Sequence, residues 1–262
     1  MHNIYAYRAH KIELCNLNAY ILLFKIQRGI MKKEGGSQMS FSFSYKPYVA
    51  IIGDIKSSKK IMDRNGVQEK LKNILEIINN NYRQDISAKF MITLGDEFQG
   101  LLWNGNSIIK IIEEIQRTMY PNEIRFGIGV GAITTDINPD MAIGADGPSY
   151  YKARNAIEFL KINDGKSKTP NSDIRIEIDE GDNSTSEMLN AIFMLLTMIQ
   201  NNWTDRQREI IWDTMKYQDG QEKSAQRLGV AQSTVQRGLT NGQYYAYKEA
   251  INTIDRVLRG VR

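Results

Sequence analysis

Residues 48–53, YVAIIG, form a continuous β-branched apolar run with no polar position to offer to water. A strand of that kind is buried on both faces, so the chain around it has to supply the cover. Residues 63–82 place Val67, Leu71, Ile74, Leu75, Ile78 and Tyr82 at three- and four-residue steps, the stripe of an amphipathic helix. Residues 89–94 and 97–103 read as two strands joined by the tight turn Gly95-Asp96. A second helix is predicted over 106–119, capped by Asn106 or Ser107. Residues 124–133, IRFGIGVGAI, predict a fourth strand with glycine at 127, 129 and 131. The order β-α-β-β-α-β predicts an α+β fold of the ferredoxin-like kind, its helices on one face of an antiparallel sheet. A helix over 148–161 and an edge strand over 173–178 extend it.

The stretches 163–173 and 179–186 are polar and rich in turn formers, which puts a domain boundary near 180. Residues 39–180 are then the sheet-bearing domain and 186–262 an all-helical one, with helices over 187–201, 206–217, 221–228, 232–239 and 243–258. Residues 1–38 read as a translated leader or a disordered arm. Glu34-Gly35-Gly36 can be encoded by a purine string containing GGAGG, and Met39 would then follow at ribosome-binding distance.

Composition removes several chemistries. The single cysteine, Cys15, allows no internal disulfide and too few thiolates for zinc. The two histidines, His2 and His10, leave no imidazole for the body of the chain. Acid–base or metal work then falls to carboxylates, lysines, tyrosines or water. No apolar run approaches the roughly 18 residues of a membrane span, and no secretory signal is recognisable, so a cytoplasmic protein is expected.

Two acidic turns end two of the predicted strands: Gly53-Asp54-Ile55 and Gly95-Asp96-Glu97. Carboxylates brought together by adjacent strands repel each other, so a cation or a basic partner is expected between them. Hard oxygen ligands select Mg2+ or Mn2+, which take one or two carboxylates plus phosphate oxygens. The alternative is plain turn chemistry: Asp54 caps the next turn and Asp96 sits in an ordinary hairpin.

The segments IIGDIKSS, ITLGDEFQG, IRFGIGVGAIT and GADGPSYYKARNA together resemble the core of class III nucleotidyl cyclases, and more loosely the GGDEF diguanylate cyclases. The resemblance covers about residues 48–162. It implies that the Asp54-Ile55 turn and Asp96, with Glu97 beside it, hold metal. It also implies that Arg125-Phe126-Gly127-Ile128 is the strand that follows them and that Arg154 is the transition-state arginine, with Asp96 and Arg154 the catalytic pair. Two positions depart from that pattern: Tyr150 stands where the cyclases carry an asparagine, and Ile92 where they carry an adenine-reading lysine. From residue 39 to the end, the chain looks like the SatD family, which joins such a region to a helix-turn-helix.

Other residues suit a phosphate. Ser57 and Ser58 offer hydroxyls and amides, and Lys56 and Lys59 offer charge. Lys152 and Arg154 project from a helix that starts after Gly147-Pro148; the plainer reading of Arg154 is a surface ion pair. Gly127 and Gly129 leave a strand face bare, either for a flat base or for close helix packing.

The segment 221–237 has helix-turn-helix spacing, with Ala225 under the crossing, Gly229 at the turn and Val230 and Val235 fixing the second helix. It resembles the promoter-reading region of sigma factors. Gln232, Ser233, Thr234, Gln236 and Arg237 are the expected base contacts, and Arg206, Arg208, Lys223, Arg227 and Lys248 the phosphate contacts. A helical dimerisation bundle is the alternative. The expectation is a homodimeric DNA-binding regulator with a metal–nucleotide sensor; its rivals are a nucleotide-making enzyme and an inert dimerising DNA-binding protein.

Overall fold

The structure is a computed structural model that describes residues 41, 43–164, 166, 171–180 and 183–262. The predicted leader, 1–38, lies outside the described residues. Five strands form one sheet: β1 (Tyr48–Ile55), β2 (Ile86–Leu94), β3 (Glu97–Leu102), β4 (Ile124–Gly131) and β5 (Ile174–Ile178), in the order β2-β3-β1-β4-β5. The pairs β2/β3, β3/β1 and β1/β4 are antiparallel, and β5 joins β4 in parallel.

All eight residues of β4 are buried, so the sheet needs cover on both sides. One side is closed by helix α3 (Pro148–Asn163), whose Tyr150, Ala153 and Ile157 pack with Ala50, Ile52 and Leu101. The opposite side carries Val49, Ile51, Phe98, Phe126, Ile128 and Val130, all buried. Two helices, α1 (Arg64–Asn81) and α2 (Ile108–Met119), pack against each other and against β2 and β4. Helices α1 and α2 thus share one side of the sheet, and α3 adds a layer on the other. Gly53 belongs to this packing, since a Cβ there would lie 2.1 Å from the Phe98 ring.

Both edge strands are closed by asparagine amides. Asn79 of α1 exchanges two hydrogen bonds with the main chain of Phe90, at 2.8 and 2.9 Å. Asn190 does the same at Ile176, also at 2.8 and 2.9 Å. Each side chain imitates a neighbouring strand for one residue and satisfies the edge amide and carbonyl there.

The remaining helices are α4 (Asn183–Asn201), α5 (Asp205–Tyr217), α6 (Gln221–Leu228), α7 (Gln232–Asn241) and α8 (Tyr244–Leu258). A capping box starts α5, with Thr204 and Gln207 exchanging hydrogen bonds. Residues 41–262 form one compact unit, because α4 lies on β5 and α8 lies on α2 and α4. The Gly105 amide donates to the Val261 carbonyl at 2.9 Å, and the Tyr120 hydroxyl donates to Asp205 at 2.6 Å. The Arg208 guanidinium sits against the rings of Tyr120, Trp203 and Trp212.

Glu113 faces this joint from α2, and its Oε1 is buried without a hydrogen-bond partner among the described residues. Burial pushes its carboxyl up from the ordinary 4.5 to about 7; Arg117 offsets part of this and Asp255 of α8 adds to it. Between those two values the folded chain holds a proton that the unfolded chain releases. Stability therefore falls as pH rises through the window, and the penalty is complete above about 7. Glu113→Gln should be more stable than the parent at pH 8 by up to about 3 kcal/mol, with the gap closing toward pH 4.5. Urea denaturation at both pH values reads it.

Candidate functional site

Strand register places three charged residues in one row. Asp54 on β1 is directly opposite Glu97 on β3 and Arg125 on β4. They share the sheet face that α3 covers, because alternation along β1 puts Asp54 with Ala50 and Ile52. The helix passes close over β4, and Arg154 and Lys161, seven residues apart, come down on the same side of it.

An alternating ion network results. Arg154 Nη1 donates to both Glu97 carboxylate oxygens at 2.7 Å. The Lys161 ammonium is 2.8 Å from Asp54 Oδ1 and 3.6 Å from Glu97 Oε2. Arg125 Nη1 donates to Asp54 Oδ2 at 2.8 Å, and its other terminal nitrogen pairs with Asp164. Three carboxylates face three cations, so Asp54 and Glu97, which the register sets side by side, are neutralised by internal cations.

A cleft opens beside this network in two lobes. One, of about 340 Å³, lies between Asp54, Ile55, Asp96, Arg125 and Lys161 and the turn that carries Ser57, Ser58, Lys59 and Lys60. The other, of about 530 Å³, is lined by Asp54, Thr93, Leu94, Asp96, Glu97, Gln99, Ile143, Arg154 and Lys161. Asp54, Asp96 and Lys161 are common to both. Asp96 reaches the cleft from the turn after Gly95, whose φ of +66° is the left-handed conformation that glycine allows. The Asp96 carbonyl accepts from the Ile55 amide at 3.3 Å, tying the two acidic turns together. Ser57 also sits at positive φ, 52°, at the start of the Ser58–Lys60 turn. A separate, mostly apolar cavity of about 220 Å³ lies between α3, β5 and α4. It meets the network only at Asp164, so the charged cleft is the better candidate.

Several predicted site residues lie elsewhere. Lys56 turns away from the cleft to Asp173 and Glu123. Burial disfavours its ammonium, but the charges and hydrogen bonds of Asp173 and Glu123 outweigh that and hold it above the ordinary lysine range. Its ammonium is held in that pair, and Lys56 lines neither lobe of the cleft. Lys152 is half-buried on α3 and lines neither lobe. Gly127 and Gly129 leave no room for a base: a Cβ at 127 would be 2.4 Å from the Ala153 carbonyl oxygen, and one at 129 would be 2.0 Å from that of Ser149. Helix packing is what those glycines serve. Sequence reasoning missed Lys161 as a site residue and took Arg125 only as part of a strand motif. The seven-residue interval from Arg154 was the available signal for Lys161.

Among the described residues, no three carboxylate, histidine or cysteine side chains come together as a metal cluster. Asp54 and Glu97 are each paired with internal cations, and Asp96 adds a third carboxylate at the rim. That donor set fits Mg2+ or Mn2+ arriving with phosphate oxygens better than a resident ion.

The model of the SatD family matches residues 48–253. The chain belongs to the SatD family. No curated protein matches this SatD sequence. A solved structure that it resembles is the crystal structure of the catalytic core of a rhodopsin-guanylyl cyclase with converted specificity in complex with ATPalphaS. The TM-score is 0.32 and the identity 17%, over 42% of this chain and 71% of that one.

In the C-terminal part of this SatD chain, α6 and α7 are joined through Gly229, at φ 62°. Val235 and Leu239 are buried on α7, while Gln232, Ser233, Gln236 and Arg237 are exposed and Thr234 is half-buried. Three expected phosphate contacts have partners within the fold. Arg208 is in the aromatic cage described above, Arg227 is clamped by Asp213 and Asp219, and Arg206 pairs with Glu209. Lys223 is exposed, and Lys248 lies over the Tyr244 ring. No helix among the described residues is long and apolar enough to cross a membrane.

Proposed function

We propose that the sheet-bearing part is a ferredoxin-like, cyclase-type palm that binds a nucleoside triphosphate with Mg2+ or Mn2+. In this reading α6 and α7 are a helix-turn-helix for DNA, and the protein is a cytoplasmic, homodimeric transcriptional regulator. The observation that carries the nucleotide reading is the cleft whose two lobes share Asp54, Asp96 and Lys161. Carboxylates for a cation and cations for phosphate oxygens stand side by side there, as a metal–triphosphate ligand would use them. Asp54 and Asp96, with the Ile55 main chain, would hold the ion, which neutralises phosphate charge. The Ser57–Lys60 turn adds hydroxyls and two ammonium groups at one wall. The DNA reading is supported by the polar outer face of α7, whose Gln and Arg side chains suit bidentate contacts to base edges. A dimer matches the two-fold symmetry of operators.

Arg154 favours a second reading. It reaches the same cleft through Glu97, so its charge could meet a phosphorus centre if Glu97 let go, as a nucleotidyl transfer enzyme requires. Calorimetry with ATP and GTP in the presence of Mn2+ tests the first reading. Binding should be present in the parent and weakened at least tenfold in Asp96→Asn, which leaves the Asp54 pairs intact; no binding in the parent overturns it. Release of pyrophosphate that disappears in Asp96→Asn would move the assignment to the enzyme.

A further inference from the structure

We propose that Lys161 is an internal counter-ion that a divalent cation displaces, and that the freed ammonium then takes a phosphate of the nucleotide. The inference rests on the nucleotide reading of the cleft and adds how its two ligands depend on each other. Asp54 has two cationic partners that differ in their freedom to leave. Arg125 is held on its far side by Asp164 and is 10% exposed at its side chain. Lys161 is 39% exposed, touches Asp54 and Glu97 through a single rotatable ammonium, and sits where the two lobes meet.

An ion ligated by Asp54 Oδ1 would stand within a few ångströms of that ammonium, and like charges so close repel strongly away from bulk water. Only one can occupy the position. Losing Lys161 does not orphan Asp54, because Arg125 still holds Oδ2 at 2.8 Å. The displaced ammonium remains tethered by a four-carbon stem at the end of α3, facing the lobe that carries Ser57, Ser58 and Lys59. A compact charge with three donors suits a phosphate oxygen there. Metal alone then has to break an ion pair, and nucleotide alone meets a lysine already engaged. Together each removes the other's cost, so binding of the two is cooperative through Lys161.

The test uses Lys161→Met, which keeps the stem and removes the charge. Mn2+ binding without nucleotide is read by electron spin resonance, and ATP and GTP binding in excess chelator by calorimetry. Mn2+ should bind the variant about tenfold more tightly than the parent, and the triphosphate about tenfold more weakly, the scale of one partly exposed ion pair. The excess affinity of the two ligands together should fall to what direct metal–phosphate coordination supplies. Equal Mn2+ affinities, or a variant weaker toward both ligands at an unchanged urea midpoint, overturn the Lys161 assignment while the cleft reading stands. An unchanged triphosphate affinity also overturns it. If neither parent nor variant binds Mn2+ or triphosphate, both the assignment and the cleft reading fall, since the variant's Asp54 has an oxygen free.

Discussion

Gly129→Ala is expected to leave no stable native protein. A Cβ at this position would lie 2.0 Å from the Ser149 carbonyl oxygen and 2.3 Å from the Ala153 amide nitrogen. Both obstacles are main chain inside α3, so no side-chain rotation relieves them. The helix would have to lift from β4, and with it the packing of Tyr150, Ala153 and Ile157 on Ala50 and Ile52. The cost should exceed about 4 kcal/mol, beyond the ordinary range for an added methylene group. Gly144→Ala is the contrast: φ there is +98° and nothing lies within 4 Å of a new Cβ, so only backbone strain of about 1–2 kcal/mol is expected. Soluble expression and urea denaturation of the two variants check this. The pair also separates the two readings of the glycine row. Had a base lain on it, Gly129→Ala would fold normally and lose only nucleotide affinity.

That row shows where sequence reasoning stops. Glycine at alternate positions announces a face without side chains, but the residues alone do not say what fills it. The filler is α3, 20 residues downstream at Ser149, and its approach is a tertiary fact. Local pattern was more informative for the elements themselves. The unbroken apolar run at 48–53 did need cover on both sides, and the three- and four-residue steps of Leu71, Ile74, Leu75 and Ile78 became the buried stripe of α1. The Gly95 turn between β2 and β3 was equally plain, because positive φ selects glycine. Charges were the least legible. Lys56 and Lys59 look equivalent in sequence, yet one is drawn to Asp173 and Glu123 and the other lines the cleft. Arg208 and Arg227 read as free basic residues, although aromatic rings and two aspartates hold them. A long cationic side chain goes to whichever partner the fold presents, and that partner is usually distant in sequence.

Asp54→Ala should lower stability by about 3–5 kcal/mol, the cost of breaking a buried ion pair from one side. Asp54 and Arg125 are 8% and 10% exposed at their side chains, so water cannot replace the lost carboxylate. Arg125 would keep Asp164, which is more exposed, but the Nη1 that faced Asp54 would have no acceptor. Its Nε is already buried without a hydrogen-bond partner among the described residues, so the guanidinium has little reserve. Lys161 by contrast can turn to Glu97 or to solvent and adds little to the loss. The double variant Asp54→Ala/Arg125→Met should therefore recover much of the stability, because it removes the orphaned charge and keeps a side chain of similar length. Urea denaturation of the parent, both single variants and the double variant gives the coupling between the two sites. A double variant as weak as the sum of the singles would mean that the two side chains act independently, and the row across β3, β1 and β4 would then not be an energetic unit. Nucleotide and metal binding should be absent from the double variant even where its fold is restored, because no carboxylate remains at 54 to hold a cation. Stability and ligand binding would then be separable at one residue, whose Oδ2 faces Arg125 and whose Oδ1 faces Lys161.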